Sequence, residues 1–292
     1  MNSFILFFLG RKKSGGRKEQ MSVYLDTRKG LTAIRFDNID GTGTAEFFYT
    51  TRKGGVSEGP YESLNPGITT ADSRENVEAN RRLIQDAFGT YPRETVRLVH
   101  GSRVVRVSEL PDEDSIPEAD AAITNTMGLP LAIFYADCAG VCIVDPARRA
   151  AGLVHAGWRG TAEFIAAKTV EAMTKEFGTD PKDCVAAITP SIGPCCFEVE
   201  IDAVEILTNN IIQQYKDPWK KDLTDFISKL DKKGKYAVDL QGMNRTQLMC
   251  AGLRPENITA SGLCTCCRGD LFYSYRRDKR TTGRMGAVLY LK

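Results

Sequence analysis

The sequence predicts a single-domain α/β protein in which mixed β-sheets are covered by helices packed outside them. Short apolar runs rich in Val, Ile and Phe, bounded by Gly, Pro and Asp, alternate with amphipathic segments. Several of these runs follow one another through tight turns before a helical pattern begins, which favours mixed sheets over a regular βαβ repeat. The 292 residues suit one large α/β domain, and no internal repeat or long linker divides them.

The strand predictions rest on apolar runs of four to six residues with turn-forming residues at both ends, a pattern typical of buried strands. Because these runs are rich in β-branched and aromatic side chains, they favour strands over short helices. In chain order the predicted strands are 45–50, 96–100, 104–107, 131–136, 141–145, 151–155, 185–189, 236–240, 258–261 and 287–291.

Four segments have the apolar spacing of amphipathic helices. The first follows Asp72-Ser-Arg-Glu75, which resembles a capping box, and it is predicted to stop at Gly89. The second covers 161–177 and is predicted to stop at Gly178. The remaining predicted helices are 201–215 and 241–250.

The charge distribution gives no reason to expect a nucleic acid as partner. The formal net charge is +2, but residues 1–20 alone carry +4, so the rest of the chain carries −2. A near-neutral body lacks the basic surface that attracts phosphate backbones.

Residues 1–20 are predicted to be a disordered or non-native extension, which leaves 21–292 as a single catalytic domain. The apolar run 4–9 is short and is followed, not preceded, by basic residues, whereas a signal peptide has a basic start and a longer apolar stretch. A membrane span needs about 20 apolar residues, and the sequence offers none. Met21 is a candidate start of the chain, and no membrane partner is expected.

Cysteine usage favours the cytoplasm. The chain has nine cysteines, an odd count, whereas secreted disulfide frameworks are usually short chains with even counts. In the cytoplasm thiols stay reduced. We therefore expect most of the cysteines to be small core residues, with one or more that carry chemistry.

Both histidines of the chain and one cysteine stand at comparable positions. His100, Cys138 and His155 each come at or next to the end of a predicted strand, where open α/β sheets place their ligands. Imidazole and thiolate are preferred zinc ligands, and three protein ligands leave a fourth position for water or substrate. The sequence therefore predicts an open metal site, although a histidine at a strand end is more often purely structural.

Two neighbours of these ligands have expected chemical roles. Zinc would hold Cys138 as thiolate and lower the pKa of a bound water. Asp137, next to Cys138, is expected to orient the ligand or to carry a proton. Cys138 and Asp137 are therefore the candidate catalytic residues.

Four further residues are candidate substrate contacts, each with a structural alternative. Arg52 precedes two glycines and suits an anion, or it is a solvated turn residue. Arg159 lies at a predicted helix start, which favours anions, or it pairs with a carboxylate. Ser191 can line a pocket from a tight turn, and Asp120 can bind ribose hydroxyls, but structural roles fit both equally.

The remaining cysteine-rich segments receive a structural interpretation. Cys195 and Cys196 lie in a tight turn, which favours a rigid structural role. The run 264–267 contains three cysteines, but it has no second pair at zinc-finger spacing and no nearby histidine. We therefore expect core or surface thiols at both places.

Seven motifs stand out along the chain: TTRKGGVSEGPYESLN (50–65), VHG (99–101), EADAAIT (118–124), ADC (136–138), HAGWRG (155–160), IGPCCFEV (192–199) and FYSYRRD (272–278). They resemble those of the multicopper polyphenol oxidoreductase, or laccase-domain, family, and the similarity extends over about 32–291. HAGWRG together with IGPCC is highly specific for this family. Small departures, such as Pro66 where Leu is usual, concern substrate fit and not the ligands.

The resemblance implies a fold and an activity. Members of the family have a layered mixed α/β sandwich fold and are described as zinc-dependent purine nucleoside enzymes. They phosphorolyse adenosine, inosine, guanosine and methylthioadenosine, and they deaminate adenosine. Their metal ligands correspond to His100, Cys138 and His155. The resemblance thus implies zinc as cofactor, and purine nucleosides and inorganic phosphate as partners.

Other functions remain open at the level of sequence. Two histidines are too few for a multicopper cluster, but two His, one Cys and a weak Met would suit a single Cu²⁺ centre and a laccase-like oxidase. A metal-free hydrolase would use Cys138 as nucleophile and a histidine as base. A zinc-stabilised binding module is a third alternative. The zinc deaminase signature is absent, so deamination would need a different arrangement.

Overall fold

A computed structural model describes residues 23–214, 225–232 and 234–292. The predicted extension 1–20, the candidate start Met21 and the last residue of the predicted helix 201–215 lie outside the described residues. Within the described residues there are three β-sheets and six α-helices.

The secondary structure follows in chain order. The strands are β1 (Val23–Arg28), β2 (Leu31–Phe36), β3 (Ala45–Thr50), β4 (Val104–Arg106), β5 (Ala121–Thr124), β6 (Leu131–Tyr135), β7 (Ala139–Asp145), β8 (Ala150–Ala156), β9 (Val185–Ile188), β10 (Glu198–Glu200), β11 (Ile227–Lys229), β12 (Lys235–Val238), β13 (Ile258–Ala260) and β14 (Met285–Leu291). The helices are α1 (Asp37–Asp40), α2 (Arg74–Phe88), α3 (Trp158–Ala162), α4 (Ile165–Phe177), α5 (Ile201–Gln214) and α6 (Leu240–Cys250).

Two large sheets contain most of the strands among the described residues. The first has the order β1-β2-β3-β14-β6 and is antiparallel throughout. The second has the order β13-β9-β7-β8-β5-β4, with parallel pairs at its two edges and antiparallel pairs between them. A third, small sheet has the order β10-β12-β11 and is antiparallel. The prediction of mixed sheets is confirmed.

The two large sheets pack face to face and are covered by helices on their outer faces. Strand alternation on β3 explains the layers: Phe47 and Tyr49 enter the core between the sheets, whereas Phe48 faces α2. There Phe48 stacks on Phe88 with ring centroids 4.5 Å apart, a contact worth about 0.5–1.5 kcal/mol beyond burial. The outer face of the second sheet packs against α4 and α6. The layered arrangement with outer helices is therefore confirmed.

Most predicted strands are present with small shifts of their ends. The segment 236–240 ends as a strand at Val238, because the Asp239 side chain accepts a hydrogen bond from the Gly242 backbone N–H at 3.0 Å and caps α6. The prediction of a strand at 96–100 was wrong. Only Arg97 forms a single bridge, with Glu118, and the cause lies in the site described below.

Two helix predictions also need correction. The cap of α2 is Ser73, which accepts from the Asn76 backbone N–H at 3.1 Å, and not Asp72. The predicted helix 161–177 is two helices, α3 and α4. The buried Phe164 between them has a positive φ of 62°, a left-handed conformation that interrupts a right-handed helix.

The sequence predicts no membrane-spanning segment. Among residues 23–214, 225–232 and 234–292, no helix has both the length and the apolar character that crossing a membrane requires.

Candidate metal centre

His100, Cys138 and His155 come together at one point of the fold, and their ligand atoms lie within 4.8 Å of one another. His155 is on β8, one residue before the strand ends, and Cys138 is the residue immediately before the neighbouring antiparallel strand β7. His100 is contributed by the loop that precedes β4. The sequence prediction that these three residues converge therefore agrees with the geometry.

The backbone around His100 is shaped by Asp120. The Asp120 carboxylate accepts hydrogen bonds from the backbone N–H groups of His100 at 2.9 Å and Gly101 at 2.7 Å. Because these donors point at one carboxylate, they are not available to a strand partner. His100 itself has a φ of 60°, which a strand does not allow. This explains why the apolar pattern of 96–100 does not give a strand.

Asp120 also fixes the orientation of His155. Its Oδ1 lies 2.9 Å from Nδ1 of His155, and both side chains are buried. With Nδ1 engaged, Nε2 remains for a metal or a proton. Asp120 was considered as a ribose ligand, and the structure instead places it behind His155, outside the lining of the cavity.

Asp137 is held by its neighbours on several sides. Its carboxylate accepts hydrogen bonds from the Thr265 hydroxyl at 2.6 Å, the Ser274 hydroxyl at 3.0 Å and the Arg276 backbone N–H at 2.8 Å. Its φ of 74° turns the chain sharply just before Cys138. These contacts favour a role in positioning Cys138, and proton transfer by Asp137 stays a prediction.

The pKa values of Cys138 and His155 are shifted in opposite directions. Burial alone would raise the pKa of Cys138, but the neighbouring His155 and His100 outweigh it and lower that pKa to about 6. Burial alone would lower the pKa of His155, but Cys138 and Asp120 raise it to about 9. In the metal-free protein the two groups thus form a thiolate–imidazolium pair near neutral pH.

The donor set fits a metal ion. One thiolate and two imidazoles suit zinc or copper, and the chain places no side chain between them. Gly157 lies against all three: a Cβ there would meet the Cys138 Sγ at 3.3 Å and His100 and His155 ring carbons at 3.4 and 3.5 Å. The three ligands also line a cavity, so a fourth coordination position faces open space.

That cavity has a volume of about 920 Å³, at the large end of the range for small-molecule sites. Its wall combines aromatic rings with guanidinium groups, a lining that suits a flat base and an anion. The aromatic residues are Phe134, Tyr135, Trp158, Phe197 and Tyr275, and the arginines are Arg74, Arg97, Arg159, Arg276 and Arg284.

Of the other predicted substrate contacts, one lines this cavity and two do not. Arg159 lines it, with its guanidinium 4.3 Å from the Trp158 ring centroid. Arg52 does not: it lies over the Tyr273 ring and donates to the Glu62 carbonyl. Ser191 is fully buried, accepts from Gln241 Nε2 at 3.2 Å and is also absent from the lining. Direct substrate contact by Arg52 or Ser191 is therefore not what this geometry favours.

Arg284 is a cavity residue that sequence reasoning missed. Its guanidinium donates to the Thr282 and Gly283 carbonyls, and no carboxylate within the described residues forms an ion pair with it. Burial lowers the pKa of Arg284, yet a guanidinium stays protonated at neutral pH. Arg284 lies between Gly283 and the last strand, β14. The candidate metal ligands also stand next to strand ends, and this shared position could have identified Arg284 from sequence.

Comparisons with known proteins identify the family of the chain. The family model described as multi-copper polyphenol oxidoreductase laccase matches residues 46–292. The protein named purine nucleoside phosphorylase YlmD of Geobacillus stearothermophilus is 36% identical over 249 residues, which is 82% of this chain and 88% of that protein. A protein of the same name from Bacillus subtilis is 36% identical over 256 residues, 84% of this chain and 87% of its own.

A solved structure supports the same relationship. The crystal structure of YlmD from Geobacillus stearothermophilus superposes with a TM-score of 0.80 at 32% identity and covers 91% of this chain and 98% of that one. The chain is therefore similar to the Geobacillus stearothermophilus protein in both sequence and fold over most of its length. The chain belongs to the multicopper polyphenol oxidoreductase, or laccase-domain, family.

Proposed function

We propose that the protein is a zinc-dependent purine nucleoside phosphorylase, which converts a purine nucleoside and inorganic phosphate to the free base and ribose 1-phosphate. One observation carries the proposal: the three converging ligands His100, Cys138 and His155 open onto a cavity walled by aromatic rings and arginines. The names of the relatives from Geobacillus stearothermophilus and Bacillus subtilis point to the same reaction.

Phosphorolysis sets three chemical requirements. The bond between C1′ and the base nitrogen breaks, a phosphate oxygen forms a new bond to C1′, and the departing base takes up a proton. The site must therefore hold phosphate next to the ribose, grip the base, and assist its departure.

Phosphate would be held by the arginines of the cavity. Arg284 is the strongest candidate, because it forms no direct ion pair with a carboxylate within the described residues and its guanidinium is fixed by two carbonyls. Arg159 contributes a second guanidinium from the start of α3. A phosphate between them would gain charge-assisted hydrogen bonds that also fix its orientation.

The purine would stack on the aromatic wall. Trp158, Phe197 and Tyr275 present rings to the cavity, and such surfaces bind planar bases by stacking. His100, Cys138 and His155 would hold the zinc, which supplies a Lewis acid at the end of the cavity. Asp120 keeps His155 in the orientation that presents Nε2.

Several finer features belong to this proposal. The resemblance supports adenosine, inosine, guanosine and methylthioadenosine as substrates, with deamination of adenosine as a further activity. None of the nine cysteines, each within the described residues, forms a disulfide, which supports a cytoplasmic location. Zinc is favoured over copper because no methionine among the described residues lines the cavity as a weak axial ligand.

A cysteine hydrolase is the second candidate. The lowered pKa of Cys138 and the raised pKa of His155 are what a Cys–His nucleophile pair requires. The two candidate functions differ in their need for metal, since a hydrolase of this type would remain active in the presence of a chelator.

The deciding experiment follows base release from inosine by the zinc-loaded chain, with phosphate, without phosphate, and after chelation. The proposal expects hypoxanthine and ribose 1-phosphate only when phosphate and zinc are both present. Base release that is independent of phosphate would contradict phosphorolysis, and full activity in chelator would favour the hydrolase.

A further inference from the structure

A second group of metal-ligand side chains lies outside the centre described above. The thiols of Cys195, Cys196, Cys264 and Cys267 all lie within 4.8 Å of one another. From sequence, a rigid structural turn was expected at Cys195 and Cys196, and core or surface thiols were expected at 264–267, where no second pair stood at zinc-finger spacing. The structure supplies that second pair from a segment about 70 residues away in the chain.

The topology of the second sheet explains why the two pairs meet. Strands β9 and β13 are parallel neighbours, so the loops that follow them leave the sheet at the same edge. Beyond the strands the pairing continues, with the Thr265 N–H donating to the Ser191 carbonyl at 2.9 Å. The turn with Cys195 and Cys196 is therefore held beside the C-x-x-C run 264–267.

The sulfur positions suit a metal site better than a disulfide or packing in an apolar core. Cys267 Sγ lies 3.5 Å from both Cys195 Sγ and Cys196 Sγ. A disulfide would bring two sulfurs to about 2.05 Å, whereas four sulfurs about 2.3 Å from one zinc are spaced by about 3.8 Å. Cys195 and Cys267 are exposed, so packing of an apolar core does not account for them.

The surrounding backbone favours a thiolate at Cys264. The Gly193 N–H donates to Cys264 Sγ at 3.2 Å, and a hydrogen bond to sulfur stabilises its charged form. A Cβ at Gly193 would meet the Cys195 and Cys264 sulfurs at 3.4 and 3.6 Å, so the absence of a side chain keeps the centre open. The Arg276 guanidinium donates to the Cys196 carbonyl at 3.5 Å and to the Glu198 carbonyl at 3.1 Å, so a positive charge lies beside the backbone of Cys196.

We propose that Cys195, Cys196, Cys264 and Cys267 bind a second zinc ion in a closed four-thiolate site. Zinc binding replaces the thiol protons, which pass to solvent, and involves no change of oxidation state. Four protein ligands leave no open position, so the site is structural.

The site would also brace the first centre. Thr265, between two of the cysteines, donates to the Asp137 carboxylate, and Ile192, three residues before Cys195, donates its N–H to the Asp137 carbonyl at 2.8 Å. A zinc that ties the two loops together thus fixes two of the hydrogen-bond partners of Asp137, the residue before Cys138. This role does not depend on which reaction the first centre performs.

Metal analysis of the full chain, purified with zinc, tests the proposal. Wild type should hold two zinc ions per chain, the His100→Ala/His155→Ala variant one, and Cys195→Ser/Cys267→Ser one. Cys266→Ser is the matched control, since Cys266 lies in the same run but outside the group, and it should retain two. X-ray absorption on the His100→Ala/His155→Ala variant should show a shell of four sulfurs at about 2.3 Å.

A second measurement uses only wild type, in case the serine variant does not fold. Alkylation of the exposed Cys195 and Cys267, read by peptide mass spectrometry, should be slow in the zinc-loaded protein and fast after chelation. Fast alkylation before chelation would overturn the proposal. So would a disulfide between these cysteines, or the loss of all zinc from the His100→Ala/His155→Ala variant.

Discussion

The Asp120 carboxylate lies 2.9 Å from Nδ1 of His155 and at the same distance from the His100 backbone N–H. One buried carboxylate therefore orients both histidines of the metal centre. Asp120→Asn should lower zinc affinity by about 10–100-fold, because an amide neither fixes the same tautomer nor raises the basicity of the ring. Competition with a zinc chelator of known affinity measures the change.

A matched control for this variant is Asp145→Asn. Asp145 is also fully buried and accepts from two backbone N–H groups, those of Ala147 and Arg148, but it lies at the far end of β7. Its zinc affinity should equal that of wild type. Equal affinities in both variants would show that Asp120 does not support the metal.

The reactivity of Cys138 in the metal-free protein should follow its lowered pKa. The thiolate fraction should rise through pH about 6, set by the balance of burial against the charges of His155 and His100. Alkylation of Cys138, followed by peptide mass spectrometry, should therefore reach half its maximal rate near that pH. Below that pH the Cys138 thiol is protonated, and its alkylation should be slow.

Zinc should suppress this reaction at every pH where it binds, since a coordinated thiolate is a poor nucleophile. His155→Ala removes the main charge that lowers the Cys138 pKa, so its alkylation should need a higher pH. A midpoint that stays in place in this variant would show that His155 is not the cause.

Arg284 should matter for phosphate more than for the nucleoside. Arg284→Ala removes a guanidinium that faces the cavity without a carboxylate partner among the described residues. Loss of charge-assisted hydrogen bonds worth about 1.5–3 kcal/mol would raise the phosphate KM by about 10–100-fold. Arg268→Ala, which breaks a surface pair with Asp270, should leave it unchanged, and equal effects of the two would refute the assignment.

Any oxidase activity should depend on copper and not on zinc bound at this centre. Zinc has no redox chemistry under these conditions, so zinc-loaded, copper-free protein should consume no oxygen with a polyphenol. An oxygen electrode measures this directly. Sustained oxygen uptake by that preparation, with copper absent by elemental analysis, would restore the laccase-like alternative.

Much of the fold was predictable because apolar runs in the central strands are continuous. Strands β1 and β2 were missed, since buried charge interrupts their pattern: Arg35 on β2 is buried and pairs with Asp40 and Glu46. These ion pairs join residues that meet only in the folded chain, so the sequence alone does not predict them. The break at Phe164 is likewise set by packing, because local apolar spacing alone favours one continuous helix.

The convergence of the three candidate ligands was predictable, and the side chains that support them were not. The chain has only two histidines, and both of them, like Cys138, stand near the ends of predicted strands. Asp120 was predicted as a candidate ribose contact, and its hydrogen bonds to the backbone of 100–101 cannot be predicted from residue spacing. Arg284 and the four-cysteine group depend on contacts between distant segments, which one sequence does not reveal.

The central claim is that His100, Cys138 and His155 hold one zinc that phosphorolysis requires. The sharpest test measures bound zinc and inosine phosphorolysis together in Cys138→Ala, with Cys142→Ala as control, because Cys142 is a buried thiol on β7 that does not line the cavity. We expect Cys138→Ala to lose the zinc of this centre and the activity together, while the control keeps both. Full phosphorolysis by Cys138→Ala protein that has lost this zinc would contradict it.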